Sequence, residues 1–378
     1  MSTTREGRKA VGRVLRLVPG TPDAVLPALT AVLDGTGTPF APVPADAASA
    51  ERVKQAVAPD EPLESDDCAV ILTTSGSSGE PKGVMLSRAA LVASATATHE
   101  RLGGPGQWLL PMKPYFVGGL QVLTRSVLAG HAPVIAWEHP SLTAAAAAMT
   151  GARRYTAMVP TQLARYLDTE LDALRSFDAI VIGGAAMPAE LKELVRESGV
   201  AAIPAYGMTE TGSGCVYAGE PLAGTSLRLE DERILISGPT LFSGYRLRPA
   251  VTAEVLRDGW FRTQDRGRFV DGRLQVVGRL DDVVISGGVN VTLTAVQARL
   301  LEHPTVKDAV VLGVPDAEWG SRVVAFVVGE VVGLDELRDF VAEVLPRTWA
   351  PRDAIELPEL PMLASGKVDR QSLLEGVR

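Results

Sequence analysis

The sequence predicts an α/β fold: a large N-terminal domain with mixed or parallel sheets, and a smaller α+β domain at the C-terminal end. Three observations support this. From Cys68 onward, short β-branched runs alternate with amphipathic segments, and several of the runs end in Gly-rich loops. After residue 225 the pattern becomes richer in strands. The length of 378 residues is enough for two or three domains.

The first elements of the large domain differ in how clearly they can be predicted. Residues 19–62 are rich in Pro, Ala and Asp, and we expect them to be loosely organised, with one or two helices. Asp178–Ile182 is typical of a buried strand. The next helix is expected to have Pro188 at its first position and to stop at Gly199. Ala201–Ala205 predicts a further short strand, which favours a largely parallel sheet.

Three loops follow predicted strands in this domain. In parallel sheets, ligands lie at the carboxyl ends of the strands. The candidate binding loops are therefore residues 73–83, 183–187 and 206–214.

The C-terminal part is expected to be a small α+β domain beyond a turn with two aspartates, Asp281 and Asp282. This turn is the predicted boundary and gives domains 1–280 and 281–378. Thr294–Gln297 is typical of a capping box that opens a helix. The other predicted elements are strands at Arg233–Ser237, Leu274–Val277, Ala309–Val314 and Val323–Val328, and a helix at about 335–345.

Composition excludes several classes of protein. The formal net charge of −8 argues against a nucleic-acid partner, so an anionic ligand would need local positive charge. Cys68 and Cys215 form no CxxC pair and indicate neither a disulfide scaffold nor a zinc site. The N-terminus lacks the apolar core of a signal peptide, and the run Val323–Val332 is too short to span a bilayer. We expect a cytoplasmic protein without a membrane span.

Residues 73–83 read TTSGSSGEPKG and follow an apolar run. Glycines allow backbone N–H groups to turn toward an anion, hydroxyls add donors, and Lys82 adds a charge, so the segment is a candidate phosphate cradle. It is not a Walker A loop, because Pro81 stands where that pattern needs Gly. A Ser/Gly linker is the alternative on composition alone.

Five motifs in order resemble the adenylate-forming superfamily of acyl-CoA ligases, adenylation domains and luciferases. They are TTSGSSGEPKG at 73–83, YGMTET at 206–211, FRTQD at 261–265, GRLDD at 278–282 and SGKVDR at 365–370. The resemblance implies a two-step reaction with ATP, Mg²⁺ and CoA. A carboxylate attacks the α-phosphorus of ATP and expels pyrophosphate, and a thiol then displaces AMP.

The resemblance also implies roles for residues around the phosphates. Thr209 would contact the α-phosphate, and Glu210 would hold Mg²⁺, a cation that prefers carboxylate and phosphate oxygens. The segment that would hold the β- and γ-phosphates consists of Thr74, Ser75, Gly76, Ser77, Ser78, Gly79 and Lys82.

For the nucleoside, the resemblance implies that Asp265 accepts hydrogen bonds from both ribose hydroxyls, a task that suits a carboxylate. Arg279 would reach the ribose or the phosphates. Gln264 replaces the usual Gly beside Asp265. The remaining implied ATP-binding residues, with the first three lining the adenine, are Gly183, Gly184, Ala185, Tyr206, Gly207 and Met208.

The implied catalytic residues are Lys367, Thr209 and Glu210. Lys367 has the central role, because an ammonium on a long stem can bridge the attacking carboxylate and the α-phosphate. Asp281 would be the hinge about which the mobile small domain rotates. That rotation would bring Ser286, Gly287 and Gly288 to the thiol channel.

Segments 119–130 and 206–222 are similar to one subfamily, the compact actinobacterial o-succinylbenzoate–CoA ligases of menaquinone synthesis. That subfamily often places a His where this chain has Tyr115 or Phe116. These aromatics would either wall an aryl pocket or be ordinary core residues. The implied substrate-pocket residues are Tyr115, Phe116, Gly119, Gly184, Ser213 and Gly214.

Two alternatives stay open beside an aryl dicarboxylate–CoA ligase. One is a stand-alone adenylation enzyme that loads an aryl or amino acid onto a carrier protein in trans. The other is a nucleotide-binding homologue without turnover. For the ligase hypothesis, the implied partners are a small carboxylate, ATP and CoA, and the resemblance allows a homodimer.

Overall fold

The computed structural model describes residues 14–75, 81–280, 282–330, 333–363 and 368–377. The chain divides into two compact units. The first contains Met1–Ser226 and Ile236–Phe261, and the second contains Leu227–Leu235 and Arg262–Arg378. Residues 262–280 thus group with the C-terminal residues. The expected boundary at 280/281 concerns the hinge and remains a prediction.

The α-helices in the described parts of the chain are α1 Pro22–Leu33, α2 Ala47–Val57, α3 Arg88–Arg101, α4 Val117–Ala129, α5 Leu142–Ala147, α6 Pro160–Thr169, α7 Leu171–Arg175, α8 Ala189–Ser198, α9 Pro249–Val255, α10 Leu293–Leu301, α11 Leu334–Ala342 and α12 Arg370–Glu375. None of the described helices has the length and apolar character needed to cross a membrane.

The strands are β1 Arg16–Pro19, β2 Phe40–Val43, β3 Cys68–Ser75, β4 Pro81–Ser87, β5 Gln107–Leu110, β6 Val134–Ile135, β7 Arg154–Met158, β8 Ala179–Ile182, β9 Ala202–Met208, β10 Ser213–Tyr217, β11 Glu220–Pro221, β12 Ser226–Glu230, β13 Arg233–Ser237, β14 Gly244–Tyr245, β15 Leu256–Arg257, β16 Trp260–Val270, β17 Arg273–Arg279, β18 Val283–Ser286, β19 Val289–Thr292, β20 Val306–Asp316, β21 Gly320–Gly329 and β22 Asp353–Glu356.

The first unit contains two sheets. One has the strand order β1-β2-β3-β4-β14, with parallel pairs at β1–β2 and β2–β3 and antiparallel pairs at β4. The other has the order β11-β10-β9-β8-β7-β5-β6, in which the five strands from β9 to β6 are parallel. The prediction of a large α/β domain with mixed or parallel sheets is therefore confirmed.

The segment expected to be loosely organised, 19–62, is better ordered than its composition suggests. It contains the two helices α1 and α2, and β2 between them adds a parallel strand to the first sheet. Val25 and Leu29 of α1 and Phe40 of β2 are fully buried. The expectation of loose organisation was wrong, because these few apolar residues supply enough burial despite the surrounding Pro, Ala and Asp.

Two of the predicted binding loops are largely strand. Residues 73–75 and 81–83 belong to β3 and β4, an antiparallel pair, so the first loop joins two strands of a hairpin rather than a strand and a helix. Residues 206–208 extend β9, and β10 runs back antiparallel to it from Ser213. Only 183–187 is the exit from a parallel strand to a helix. Pro188 is the N-cap of α8 and not its first helical residue, so the helix begins one residue later than expected. Gly199 ends that helix at φ 69°, as predicted.

The second unit has an α+β structure. Its largest pair of strands is β20 and β21, with β18 and β19 on one side and β22 parallel to β21. The predicted capping box at Thr294–Gln297 was wrong, because α10 begins at Leu293 and its N-cap is Thr292. Gln297 Oε1 instead accepts from the Val311 N–H at 3.4 Å, so this side chain ties the helix to β20.

Candidate active site

The candidate phosphate segment is held by the hairpin β3–β4. Thr74 lies opposite Lys82 and Ser75 opposite Pro81. Directly opposed residues share a face of the sheet, so Thr74 and Lys82 project to the same side. Lys82 Nζ lies 5.2 Å from the ring centroid of Tyr245, within the range of a cation–π contact. Gly76, Ser77, Ser78 and Gly79 lie outside the described residues.

The Y-G-M-T-E motif forms the end of β9 and a 3₁₀ turn, Thr209–Thr211. The Thr211 hydroxyl accepts from the Met208 N–H at 2.9 Å and donates to the Ser213 carbonyl at 2.7 Å, so it closes the turn on itself. A Cβ at Gly207 would lie 2.1 Å from the Ser213 carbonyl oxygen. Glycine is therefore required there for the chain to fold back so closely.

Glu210 is buried in this turn, at 9% exposure. Tyr245 Oη donates to Glu210 Oε1 at 2.8 Å, and the Phe242 N–H donates to the Glu210 carbonyl at 2.8 Å. Burial, and then the negative charge and hydrogen bond of Glu210, raise the pKa of Tyr245 far above its usual value. The phenol therefore stays protonated and acts as a donor to this carboxylate.

The residues of this turn fit a magnesium ion that binds mainly through substrate phosphates and water, with few protein ligands. The described residues contain no cluster of three or more His, Cys, Asp and Glu that could enclose a metal. Mg²⁺ commonly binds through one or two carboxylates, substrate phosphates and water, so it needs no such cluster. Glu210, on the turn next to Thr209, is a carboxylate of the required type.

The candidate adenine loop leaves the buried strand β8. The Gly183 N–H donates to the Met158 carbonyl at 3.1 Å, and Gly184 has φ 86°. Gly184 and Ala185 are exposed. Because β8 pairs with β9 up to Ile182 and Pro204, this loop and Tyr206 lie at the same edge of the sheet.

Four of the predicted substrate-pocket residues form two groups. Tyr115 and Phe116 precede α4, with ring centroids 4.6 Å apart, and both are half-buried. A Cβ at Gly20 would lie 2.5 Å from the Tyr115 ring, so this aromatic packs on the end of β1. Ser213 and Gly214 begin β10, and Ser213 has a strained φ of 97°.

Gly119 has a packing role. A Cβ at this position would lie 2.4 Å from the Lys113 carbonyl oxygen. Its lack of a side chain lets α4 approach the preceding loop closely. Whether it also borders the substrate stays a prediction.

In the second unit, Asp265 and Arg279 face each other across the strands β16 and β17. Arg279 Nη1 lies 3.3 Å from Asp265 Oδ1, and Asp265 is 7% exposed. The Asp265 N–H donates to the Thr263 hydroxyl at 3.0 Å. Gln264 does not disturb this arrangement, because its side chain is exposed and its Oε1 accepts from Arg233 at 3.2 Å.

The proposed thiol-channel residues form a tight hairpin between β18 and β19. Gly287 and Gly288 have φ 57° and 79°, values that suit a two-residue turn of type I′. The Gly287 N–H donates to the Trp319 carbonyl at 2.9 Å, and the guanidinium of Arg352 lies 3.3 Å from the Trp319 ring centroid. Ser286 is buried, and its hydroxyl has no hydrogen-bond partner among the described residues.

Two predicted residues, the hinge Asp281 and the catalytic Lys367, lie outside the described residues. Their neighbours are described. Met362 and Val368 form an antiparallel bridge, and Arg370 Nη1 donates to Asp282 Oδ1 at 2.9 Å. The closing motif is thus tied to the residue that follows the predicted hinge.

Family models match both parts of the chain. The AMP-binding enzyme model covers residues 10–246, and the AMP-binding enzyme C-terminal domain model covers residues 295–367. The chain belongs to the AMP-binding enzyme family. The resemblance predicted from the five motifs is therefore confirmed.

A curated relative of this AMP-binding enzyme comes from Mycobacterium tuberculosis (strain CDC 1551 / Oshkosh) and is described as a probable 2-succinylbenzoate–CoA ligase. It is 41% identical in an alignment of 378 positions that covers 96% of this chain and 97% of the relative. The two chains are therefore similar over nearly their whole lengths, and the relative is about as short as this chain.

Two solved structures from Bacillus subtilis, both of o-succinylbenzoate coenzyme A synthetase, are similar to this AMP-binding enzyme. The complex with the acyl-adenylate intermediate is 27% identical, with a TM-score of 0.72 over 91% of this chain and 80% of that one. The complex with ATP and a magnesium ion is 29% identical, with a TM-score of 0.71 over 83% and 72%. The prediction of the adenylate-forming fold is confirmed.

Sequence reasoning missed a buried polar pair on α4 of this AMP-binding enzyme. Gln121 and Arg125 are four residues apart, so they share a face of the helix, and they are 0% and 1% exposed. Both amide atoms of Gln121, and Nε and Nη2 of Arg125, have no hydrogen-bond partner in the described part of the chain. The available signal was that Arg125 is the only charged residue of α4.

Other groups around this pair are also buried. The Arg125 guanidinium lies 4.9 Å from the Trp108 ring centroid, and the Trp108 indole N–H donates to His99 Nε2 at 3.3 Å. Burial, and then the positive charge of Arg125, lower the pKa of His99 to about 4. His99 is therefore neutral, and Arg125 is a buried cation beside neutral groups. Gln121 Nε2 lies 3.7 Å from the place a Cβ on Gly212 would take, close to the Glu210 turn.

Proposed function

We propose that this AMP-binding enzyme is an ATP-dependent 2-succinylbenzoate–CoA ligase of menaquinone biosynthesis. The carboxylate first attacks the α-phosphorus of ATP to give an acyl-adenylate and pyrophosphate. The thiol of CoA then displaces AMP to give the acyl-CoA. The proposal is supported by the relative that is 41% identical over almost the entire chain and by structural neighbours that bind ATP with magnesium or the acyl-adenylate.

The observation that carries the choice of substrate is the buried guanidinium of Arg125. A buried cation without an acidic partner is costly, and the cost is offset when an anion binds beside it. The substrate 2-succinylbenzoate has two carboxylates, of which only one reacts. We assign Arg125 as the group that binds the unreactive carboxylate. Gln121 lies on the same face of the helix.

The residues of the first unit would handle the triphosphate. Mg²⁺ supplies positive charge that stabilises the phosphate oxygens when it is bound. Glu210 would hold it, and Thr209 would donate to the α-phosphate. Thr74 and Lys82 lie on one face of the hairpin and would contact the departing pyrophosphate, together with residues 75–79.

The residues of the second unit would bind the nucleoside and act on the reacting groups. Asp265 would accept the ribose hydroxyls, with Arg279 fixing its carboxylate. Lys367 would bridge the attacking carboxylate and the α-phosphate. Asp281 would be the hinge, and the hairpin Ser286–Gly288 would line the thiol channel. We further propose CoA as the thiol acceptor, a cytoplasmic location and a homodimer, the last testable by light scattering.

An acyl-CoA assay tests the function. The enzyme is incubated with ATP, Mg²⁺, CoA and 2-succinylbenzoate, benzoate, a fatty acid or an amino acid in turn, and products are separated by mass. We expect thioester formation with 2-succinylbenzoate at least tenfold faster than with any other acid, because only this acid offers a second carboxylate to Arg125. Equal rates with benzoate would overturn the substrate assignment.

Two outcomes would favour other functions. Acylation of a supplied carrier protein in place of CoA would identify a stand-alone adenylation enzyme. Absence of ATP–pyrophosphate exchange with every acid tested would identify a nucleotide-binding protein without turnover.

A further inference from the structure

One short segment, residues 242–246, is joined to Glu210 at two points. The Phe242 N–H donates to the Glu210 carbonyl at 2.8 Å, and Tyr245 Oη donates to Glu210 Oε1 at 2.8 Å. The same few residues therefore fix both the backbone and the carboxylate of Glu210.

The same segment is also joined to the strand that carries Lys82. The Ser243 N–H donates to the Met85 carbonyl at 2.9 Å, and the Arg246 N–H donates to the Gly83 carbonyl at 2.8 Å. Tyr245 lies opposite Val84, two residues beyond Lys82 on the same face. The Tyr245 ring therefore lies beside Lys82, with Nζ 5.2 Å from its centroid.

The position of the Tyr245 ring is restrained from several sides. Tyr245 is 7% exposed, and the Phe242 ring meets it edge-on with centroids 4.9 Å apart. The next residue, Arg246, is fully buried along its side chain and donates to the carbonyls of Val57, Pro62 and Ala58 at 2.7–2.9 Å. The ring cannot turn away without disrupting this packing.

We propose that Tyr245 is a positioning residue that sets the places of Glu210 and Lys82 for one magnesium–triphosphate group. Its hydroxyl fixes a carboxylate oxygen, and its ring face attracts the ammonium, so one rigid side chain holds both charges. The inference rests on the proposed function, in which Glu210 binds the metal and Lys82 the phosphates. Tyr245 itself touches neither the substrate nor a reacting atom in this assignment.

The experiment compares Tyr245→Phe with the unchanged enzyme. The variant keeps the ring beside Lys82 and removes only the hydroxyl. Binding of Mn²⁺, used as a spectroscopic probe for Mg²⁺, to the enzyme–ATP mixture is followed by electron paramagnetic resonance. We expect the Mn²⁺ dissociation constant to rise about tenfold, the loss typical of one hydrogen bond to a charged group. The Mg²⁺ concentration for half-maximal ATP–pyrophosphate exchange should rise in parallel, with CoA attack on supplied acyl-adenylate unchanged.

Tyr155→Phe is the matched control. Tyr155 is buried like Tyr245, and its hydroxyl lies within hydrogen-bond distance of the carbonyls of Leu102 and Gly104, at 3.0 and 3.1 Å, in the same unit. It should leave Mn²⁺ binding at the value of the unchanged enzyme. Equal Mn²⁺ affinity of the Tyr245→Phe protein and the unchanged enzyme would overturn the proposal. Failure of the proposed function would show differently, as the absence of exchange in the unchanged enzyme, while the Mn²⁺ measurement would still test Tyr245.

Discussion

Arg370 and Asp282 are 88 residues apart in the sequence and are joined by a hydrogen bond of 2.9 Å between Nη1 and Oδ1. The Asp282 side chain is 7% exposed, whereas that of Arg370 is 46% exposed. Because Asp282 follows the predicted hinge and Arg370 closes the motif of the predicted catalytic lysine, this pair holds the two motifs together within the second unit.

Removing the guanidinium should destabilise the second unit. Arg370→Ala leaves the buried Asp282 carboxylate without this donor. We expect a loss of about 1–2 kcal/mol in the free energy of unfolding, reduced from the value for a buried pair because Arg370 is half exposed. Urea unfolding measures this loss. Arg347→Ala, which removes an exposed pair with Asp339, is the control and should cost under about 0.5 kcal/mol.

Replacing the buried arginine of the first unit should act on the substrate. We expect Arg125→Met to lower kcat/KM for 2-succinylbenzoate about 100-fold, because the carboxylate that does not react loses its only assigned cation. Steady-state kinetics measure the change, and ATP binding should be retained. Arg101→Met is the control, since Arg101 is paired with Glu220 at 2.6 Å. An unchanged kcat/KM for 2-succinylbenzoate would refute the assignment.

Stability of the first unit should fall in mild acid because of His99. The folded pKa of about 4 lies below the unfolded value of 6.5, so the unfolded chain takes up the proton first as the pH falls. Stability is thus retained above pH 6.5 and is lost between 6.5 and 4, by about 2 kcal/mol at pH 5. Urea unfolding at pH 7.5 and 5 measures it. His99→Gln should remove most of this dependence, and His131→Gln, at an exposed position, should not.

The predicted role of Lys367 can be separated into the two steps of the reaction. We expect Lys367→Ala to slow adenylate formation at least 100-fold, since an ammonium at the reacting phosphate stabilises developing charge. CoA attack on supplied acyl-adenylate should proceed at the original rate. Lys307→Ala, at an exposed site, should affect neither step. Equal loss in both steps would show that Lys367 has a different role.

The predicted hinge should give the opposite pattern. Asp281→Pro restricts φ to about −65°, which opposes the large dihedral change that a hinge needs. We expect pyrophosphate exchange to be kept and thioester formation to fall at least tenfold. Asp281→Ala removes the side chain without restricting φ and serves as the companion variant. Thioester formation at the normal rate in the proline variant would contradict the hinge assignment.

Much of the fold follows from local sequence pattern. The buried strand β8, the stop of α8 at Gly199 and the strands β20 and β21 were predicted because apolar runs and glycines act over short distances. The strand before residues 73–83 was predicted, but its antiparallel pairing with β4 was not, since the pattern of one strand does not specify the direction of its partner. The Thr294 capping box did not form although its local pattern was present, because α10 begins at Leu293 with Thr292 as its N-cap.

The site was predicted less evenly than the fold. Motifs pointed to Glu210, Lys82 and Asp265 because those residues recur in the superfamily at fixed local spacing. Tyr245 lies 35 residues from Glu210 and carries no local sign of the hydrogen bond that joins them. Arg125 stands out as the only charged residue of α4, but its burial depends on α3 and β5, whose residues pack around it.

Gly119 limits how this protein could be redesigned for other acids. Any side chain there would drive α4 away from the Lys113 carbonyl and move Gln121 and Arg125 with it. Variant libraries that place larger side chains at position 119, in order to narrow the proposed substrate pocket, should therefore yield unfolded or inactive proteins. Under the proposed assignment of the unreactive carboxylate to Arg125 and Gln121, substitutions at Gln121 should alter acid preference while the helix keeps its place. This position is therefore the practical starting point for engineering.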